Sequence, residues 1–474
     1  MREVELGSEP LARLAGLLAP DRRQLLEETA AWGGDLLRGR TMWHVNATAT
    51  GGGVAEMLQA LLAYTKGVGV DTRWLVLQGA PEFFTLTKRI HNKLHGSAGD
   101  GGDLGETERS VYESVLARDT EDLAGRIREG DVVVLHDPQT AGMVEKTKAA
   151  GARVIWRCHI GKDDTDEHTD EAWAFLRPYV EAADAVVFSR QAYVPGWIED
   201  GKVRIIPPSI DPFSSKNVDM TAEDVAAVLR RAGLVDIHDG HAGSITYPCR
   251  DGSTGTMREF RGLIHGDQIV PEDARVVLQV SMWDRLKDME GVLRGFADHI
   301  EAMPPDVHLM LVGPDVSGVT DDPEGAEVFA ECQSIWAEQG AGARARMHLC
   351  SLPMDDIDEN ARMVNALQRH ASVVVQKSLV EGFGLTVTEP MWKGRAVLAS
   401  RVGGIQDQIV DGECGLLLAD PHDLDSFATL LADLLADREQ AERLGSAARE
   451  RVRDRYLGAQ ALVRYAELVR TLLD

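Results

Sequence analysis

The feature that most constrains this chain is a strand–helix alternation that runs through it twice. In the first half, short apolar runs at Met42–Val45, Trp74–Leu77, Val132–Leu135, Val154–Trp156, Ala185–Phe188 and Val203–Ile206 are flanked by polar or turn residues and read as strands. Helical segments such as Val54–Lys66 and Glu121–Glu129 lie between them. In the second half the runs are Val276–Val280, His308–Val312, Met347–Leu349, Ser372–Val375, Ala396–Ala399 and Gly415–Leu418, with helical segments such as Glu290–Ile300 and Glu359–His370. Alternation of this kind implies parallel sheets covered by helices on both faces. Two series in 474 residues, too many for one ordinary core, predict an α/β chain of two Rossmann-like domains facing each other.

The join is expected at Pro207-Pro208-Ser209-Ile210-Asp211-Pro212, where three prolines in six residues resist both helix and sheet. This divides the chain into an N-terminal domain over 1–208, of which 1–40 reads as a helical extension, and a C-terminal domain over 209–455. The apolar spacing of Ala459–Leu473 predicts a final helix within 456–474 that returns to the first domain. Residues 236–272, rich in Gly, Asp and His, break the alternation and read as an inserted loop or lid. Its His238, Asp239 and His241 are either metal ligands or part of a solvated polar loop.

Charge narrows the partners. A net charge of −26 repels phosphate backbones, which argues against nucleic acid and anionic membranes. No apolar run approaches the roughly 18 residues of a membrane span, and the N-terminus lacks a signal-like stretch, so a cytoplasmic location is expected. The five cysteines, Cys158, Cys249, Cys332, Cys350 and Cys414, are scattered and odd in number, which suits free thiols in a reducing compartment.

Several clusters can carry chemistry. In Glu381-Gly382-Phe383-Gly384-Leu385-Thr386-Val387-Thr388-Glu389, a glycine loop leads from a strand into a helix. Helix-start amides at Gly384, Leu385 and Thr386 suit a diphosphate, and Glu381 and Glu389 suit sugar and ribose hydroxyls. The competing reading is a plain helix start with acidic residues at its positive end. Gln279–Asp288 lies past another strand's carboxyl end, where ligands of open sheets collect. There Lys287 either neutralises a leaving diphosphate or is merely solvated. Gly51-Gly52-Gly53 with Val54-Ala55-Glu56 is either an anion-facing helix start or a tight turn. His136 and His159, at two strand ends, either hold sugar hydroxyls and stabilise charge or are structural. Asp164-Thr165-Asp166 fits a metal-binding D-x-D triplet, a pattern common in so acidic a chain.

The Glu381-x7-Glu389 spacing resembles the paired glutamates of retaining GT-B glycosyltransferases, family GT4. More narrowly, His44-Val45-Asn46-Ala47-Thr48, Gly51–Glu56, Glu82-Phe83-Phe84 with Lys88 and His91-Asn92, Trp156–Ile160, Pro207–Pro212 and Met391-Trp392-Lys393-Gly394 resemble the trehalose glycosyltransferring synthases. The resemblance implies a GT-B fold with a deep interdomain cleft, a nucleotide-sugar donor, a glucose acceptor, trehalose as retained product and no metal cofactor. It places Lys287 and the Gly384–Thr386 amides on the diphosphate, Glu381 on the donor sugar, Glu389 on the ribose, His159 near the reacting sugar, and the Gly52–Gly53 loop near donor phosphate and acceptor. It leaves room for a homodimer.

One position departs from the pattern. The family carries arginine five residues before the diphosphate lysine, and this chain has Met282 there. Either Arg285 supplies the missing charge or the donor site is weaker. Met282 also keeps a non-catalytic sugar-nucleotide-binding protein in view, beside the enzymatic alternative of a trehalose phosphorylase.

Overall fold

The computed structural model describes residues 1–49, 53–238, 244–249, 253–266, 268–316 and 323–474. Two compact units emerge, Met1–Asp211 with Asp454–Asp474, and Pro212–Arg453.

The first unit holds a seven-stranded sheet of β1 (Arg2–Val4), β2 (Thr41–Asn46), β3 (Asp71–Val76), β4 (Val132–His136), β5 (Arg153–Cys158), β6 (Ala185–Phe188) and β7 (Val203–Ile205). The order is β1-β3-β2-β4-β5-β6-β7. All pairings are parallel except β1 on β3. Strands β2 and β4 are buried along their whole length, as parallel strands between two helical layers must be. The helix Gly458–Leu473 completes this unit, packing Ala461, Tyr465, Leu468 and Val469 against Met42, Leu61 and Val134.

The second unit contains four short strands, β8 (Val235–Asp236), β9 (Thr246–Pro248), β10 (Thr254–Thr256) and β11 (Val270–Pro271). Its main sheet is built from β12 (Arg275–Val280), β13 (Val307–Pro314), β14 (Met347–Leu352), β15 (Val373–Gln376), β16 (Ala396–Ser400) and β17 (Leu416–Leu418). The order is β14-β13-β12-β15-β16-β17, parallel throughout.

Apart from the edge strand β1, the chain progresses outward in both directions from one central pair in each sheet, β2/β4 in the first and β12/β15 in the second. At such a switch point the connections leave to opposite sides and open a crevice beyond the strands' carboxyl ends. That geometry sets where the chemistry-bearing loops meet.

Three sequence expectations need correction. Residues 2–4 form an edge strand ahead of helices Leu11–Ala15 and Pro20–Leu36, so the first 40 residues are not all helical extension. The helix expected over Glu121–Glu129 is Glu106–Ala124 instead. Its buried stripe includes Asp119 and Thr120, which breaks the apolar periodicity, and it stops before Gly125. The 236–272 segment is more than a loop. Strands β9 and β10 pair antiparallel, β8 and β11 pair parallel, and Ile264 bridges antiparallel to Cys350 on the outer strand β14. His265 N–H donates to Leu349 O at 2.8 Å and Ser351 N–H to Leu263 O at 2.9 Å, so the segment pairs with that strand's free edge. Of the three polar residues noted there, His238 approaches Asp236 at 3.8 Å, while Asp239 and His241 lie outside the described residues.

Arg258 anchors this segment. Its backbone N–H and Nε donate to Glu359 at 2.6 and 2.7 Å, and its outer nitrogens reach Asp355 at 2.6 and 3.0 Å. The Glu359 side chain is 1% exposed. Arg258→Ala leaves that carboxylate buried with only a backbone N–H. A loss of about 2–3 kcal/mol is expected, below the roughly 3–5 of a fully buried pair because the guanidinium is half solvated. Chemical denaturation measures it, and a change under about 0.5 kcal/mol, the level of an ordinary surface substitution, would show that the anchor carries no stability.

Candidate active site

In the second unit, the loops after β12 and β15 lie side by side at the switch point, tied by Leu379 N–H donating to Leu286 O at 2.8 Å. Lys287 Nζ donates to Glu381 Oε2 at 2.7 Å, and Ser378 Oγ approaches the same oxygen at 3.4 Å. Two residues separated by 94 positions thus form one charge pair at the sheet's carboxyl end.

Beneath it is a more deeply buried support. Lys377, 1% exposed, donates from Nζ to Asp288 and to Pro421 O at 2.6 Å. Burial pushes the Asp288 carboxyl up, against the pull of Lys377. Asp288 has φ 50°, ψ 46°, and caps the helix Met289–Asp298 by accepting from Gly291 N–H at 3.1 Å. Gln279 spans both loops, donating to Lys287 O at 2.8 Å and accepting from Lys377 N–H at 3.4 Å.

Gly384 enters the helix Leu385–Trp392 at φ 88°, ψ 65°, a left-handed start that glycine adopts freely. A Cβ there would lie 3.1 Å from Glu381 Cγ, so glycine also makes room for the carboxylate's stem. Gln408 Nε2 donates to Phe383 O at 2.5 Å and Gly384 O at 3.2 Å, fixing the loop from behind. Val387 N–H turns back to Gly384 O, leaving Gly384, Leu385 and Thr386 as the helix-start donors ahead of it. Phe383 is buried, while Gly382, Leu385 and Thr386 are half-buried.

Glu389 is buried on the same helix, with Gln368 Nε2 at 3.4 Å and Lys216 Nζ at 3.6 Å. Lys393, one turn on, donates to Asn217 Oδ1 at 3.0 Å and Gln368 Oε1 at 2.7 Å. Burial lowers its ammonium to about 7, with Arg369 and Lys216 adding to the fall and Glu389 opposing it.

Arg285 does not join this group. It bonds Glu331 at 2.8 and 3.0 Å and reaches Glu327 at 3.5 Å, two acids one turn apart on the helix Pro323–Glu338. The substitute charge expected from Arg285 is therefore spent on an acidic ridge. Met282 is half exposed.

In the first unit, three histidines come together on β2 and at the carboxyl ends of β4 and β5. His44 Nδ1 lies 3.1 Å from His136 Nε2, and the His136 ring stacks on His159 with centroids 5.4 Å apart. Burial lowers all three imidazoles, His44 to about 3, so the stack is neutral. Asp137 fixes the last ring: it accepts from His159 N–H at 2.7 Å and pairs with His159 Nδ1 at 3.0 Å. Burial raises the Asp137 carboxyl, but His159 outweighs it and the net direction is down. A carboxylate has no proton to give, so Nδ1 carries the hydrogen and Nε2 presents a lone pair. That Nε2 is buried and has no hydrogen-bond partner among the described residues.

Asp137 itself sits at φ 64°, ψ 177°. This region is essentially reserved for glycine, and a side chain there costs about 1–3 kcal/mol. Pro138 favours the extended ψ. Asp137 N–H donates to Arg157 O at 2.7 Å, and its carbonyl accepts from Trp156 Nε1 at 3.2 Å and Thr140 N–H at 3.1 Å. Every polar group of Asp137 is used, and strain held this firmly accompanies functional sites.

Gly53 opens the helix Gly53–Gly67, with Glu56 half-buried in its first turn, and Gly52 lies outside the described residues. Asp166 caps the helix Glu167–Val180 and pairs with Lys162 at 2.5 Å, so its carboxylate is engaged in structure. The sequence alone assigned no role to Asp137 or Lys377, and marked Lys393 only as part of the Met391–Gly394 stretch. For Asp137 the one available signal was its place between a strand-end histidine and a proline.

Both halves of the chain match known families. Residues 44–195 fit the family described as trehalose synthase, N-terminal domain, and residues 261–451 fit glycosyl transferases group 1. A trehalose synthase of Pyrococcus horikoshii is 31% identical over 473 residues, covering 100% of this chain and 99% of that protein. This chain belongs to the trehalose synthase family. A second member, from Rubrobacter xylanophilus, is 34% identical over 98% of this chain and 97% of its own. The sucrose-phosphate synthase of Thermosynechococcus elongatus superposes with a TM-score of 0.63 at 19% identity, covering 91% of this chain and 99% of that one, and shares the fold. The family member described here is a GT-B glycosyltransferase with two α/β domains. Among the described residues no helix is long and apolar enough to cross a membrane.

Proposed function

We propose that this chain transfers glucose from a nucleoside diphosphate sugar to free glucose, forming α,α-trehalose with retention at the anomeric carbon. The observation that carries this is the Lys287–Glu381 pair beside a glycine-initiated helix at a switch point. It offers a cation and helix-start amides for a diphosphate, next to a carboxylate for sugar hydroxyls. Glu389, buried one to two turns along the helix, is our candidate for the ribose diol. His159 Nε2, a bare acceptor, is our candidate for a sugar hydroxyl, oriented through the His136 stack and Asp137. The Gly52–Gly53 turn and Glu56 are assigned to donor phosphate and acceptor.

In this reaction the bond from C1 to the phosphate oxygen breaks and the bond from C1 to the acceptor oxygen forms on the same face. The acceptor's proton goes to the departing phosphate oxygen, so the protein supplies charge stabilisation rather than a nucleophile. No metal enters the proposal, because Lys287 and the amides take the charge.

The test is a panel of nucleotide glucoses with free glucose as acceptor, following trehalose and nucleoside diphosphate together. Both must appear in equal amounts. Turnover only with trehalose and inorganic phosphate would instead mark a phosphorylase, and donor binding without turnover a binding protein.

Met282 gives a gain-of-function check. With Arg285 committed to Glu331, the position five before Lys287 lacks a cation. Met282→Arg is expected to lower the donor Kd about ten- to a hundredfold, the scale of a well-placed charged hydrogen bond. Calorimetry on folded protein measures it, and an unchanged or higher Kd would mean that no phosphate oxygen lies within reach of this position.

A further inference from the structure

At the opposite end of the second sheet lies a depression of about 410 Å³. It sits beside the amino ends of β15 and β16, one strand length, or about 13 Å, from the Lys377–Gly384 loop. Val225 and Ile237 form its apolar wall, and Arg369, His370 and Arg395 its basic one, with Glu272 at the rim. In a chain of net charge −26 such a concentration of cations requires a cause.

Local structure accounts for part of it. Arg369 and His370 occupy the last turn of the helix Ile357–His370, where basic groups offset the helix dipole. Arg369 is also paired with Asp219 at 3.0 Å. Arg395 is different. Among the described residues its side chain makes one hydrogen bond, from Nη1 to Ala371 O at 3.3 Å, its Nε is buried without a partner, and no carboxylate lies within ion-pair distance. His370 Nε2 is likewise buried and unpartnered. Burial, with Arg369 beside it, lowers the Arg395 guanidinium, and burial with Arg395 beside it lowers His370. A half-buried guanidinium with an arginine beside it and one carbonyl as its hydrogen-bond partner among the described residues is costly, and an anion in the depression offsets that cost.

We propose that the Arg369–His370–Arg395 depression is a second anion site that takes a phosphate group, separate from the Glu381 loop. Planar guanidinium groups bind phosphate oxygens in pairs, which makes a phosphate dianion the fitting class. The site is connected to the buried glutamate on the far helix. Arg369 Nη2 donates to Asn217 O at 3.2 Å, and Lys393 donates to the Asn217 side chain and to Gln368, which holds Glu389.

Calorimetric titration of the full chain with inorganic phosphate, and in parallel with glucose 6-phosphate, tests this at constant ionic strength. Lys287→Ala, which removes the cation of the Glu381 loop, is expected to keep one phosphate site of wild-type affinity, and Arg395→Gln to bind there at least about tenfold more weakly. Glu272→Gln, at the exposed rim, is expected to bind more tightly because it removes the one carboxylate lining the depression among the described residues. Tighter binding of glucose 6-phosphate than of phosphate identifies a phosphorylated metabolite, and equal binding identifies free phosphate. Absence of binding to wild type, its loss in Lys287→Ala, or equal affinity in a folded Arg395→Gln would overturn the site. Should Arg395→Gln not fold, unchanged affinity in Glu272→Gln overturns it as well.

Discussion

Lys287→Ala is expected to lower kcat/KM by about 10²- to 10³-fold, the scale seen when one preorganised donor to developing charge is removed. Leaving-group charge builds on the diphosphate as C1 separates from it, so the missing ammonium is felt most in the transition state. The protein should still fold. Lys287 is partly exposed, and Glu381 keeps Ser378 Oγ at 3.4 Å when the lysine is gone. The cost of leaving that carboxylate less well paired is about 1–3 kcal/mol. Glu381→Gln is the companion variant, because it preserves shape and hydrogen bonding while removing the charge. Initial rates over a range of donor concentrations, with melting curves for each protein, separate turnover from stability. A Lys287→Ala enzyme within about threefold of wild type, well short of the loss expected for a lost charge stabiliser, would remove this lysine from the chemistry.

The second large effect is expected at Asp137. Its carboxylate holds the hydrogen of His159 on Nδ1 and leaves Nε2 as acceptor. In Asp137→Asn an amide N–H can face the ring instead, and the favoured tautomer then puts the hydrogen on Nε2. Loss of a correctly oriented neutral imidazole in this way is expected to cost about 10²-fold or more in kcat/KM. Asp137→Gly supplies a control for folding. Glycine is comfortable at φ 64°, ψ 177°, so relief of about 1–3 kcal/mol of strain offsets the lost side-chain bonds. The expected pattern is a low rate in both variants with little change of Tm in the glycine protein. Near-normal kcat/KM in Asp137→Asn would show that the His159 tautomer is irrelevant to turnover.

The strands of both sheets were legible because parallel strands buried on two faces appear as short unbroken apolar runs, and β2, β4, β12 and β15 all do. β1 was not. Its three residues, Arg2-Glu3-Val4, are mostly exposed at a sheet edge and present no such run. The glycine loop and Lys287 were legible because they follow strands in chain order, and the switch point brings such loops together. What lay deeper was hidden by distance along the chain. Lys377 meets Asp288 across 89 positions, and Lys393 meets Asn217 across 176. A buried lysine looks like any other until its partner is known. Arg285 misled for the opposite reason: nearness in sequence to Lys287 suggested a shared task, while its side chain turns to another helix.

The pairing of residues 263–265 with β14 bears on how this protein behaves in solution. A parallel sheet of six strands ends in rows of amide and carbonyl groups that a neighbouring chain can adopt as a template. Strand β14 is six residues long and almost wholly buried, the type of edge most prone to such recruitment. By laying its own backbone along that row, the inserted segment covers the middle of the template. Trimming it away to obtain a smaller catalyst is therefore expected to trade length for self-association.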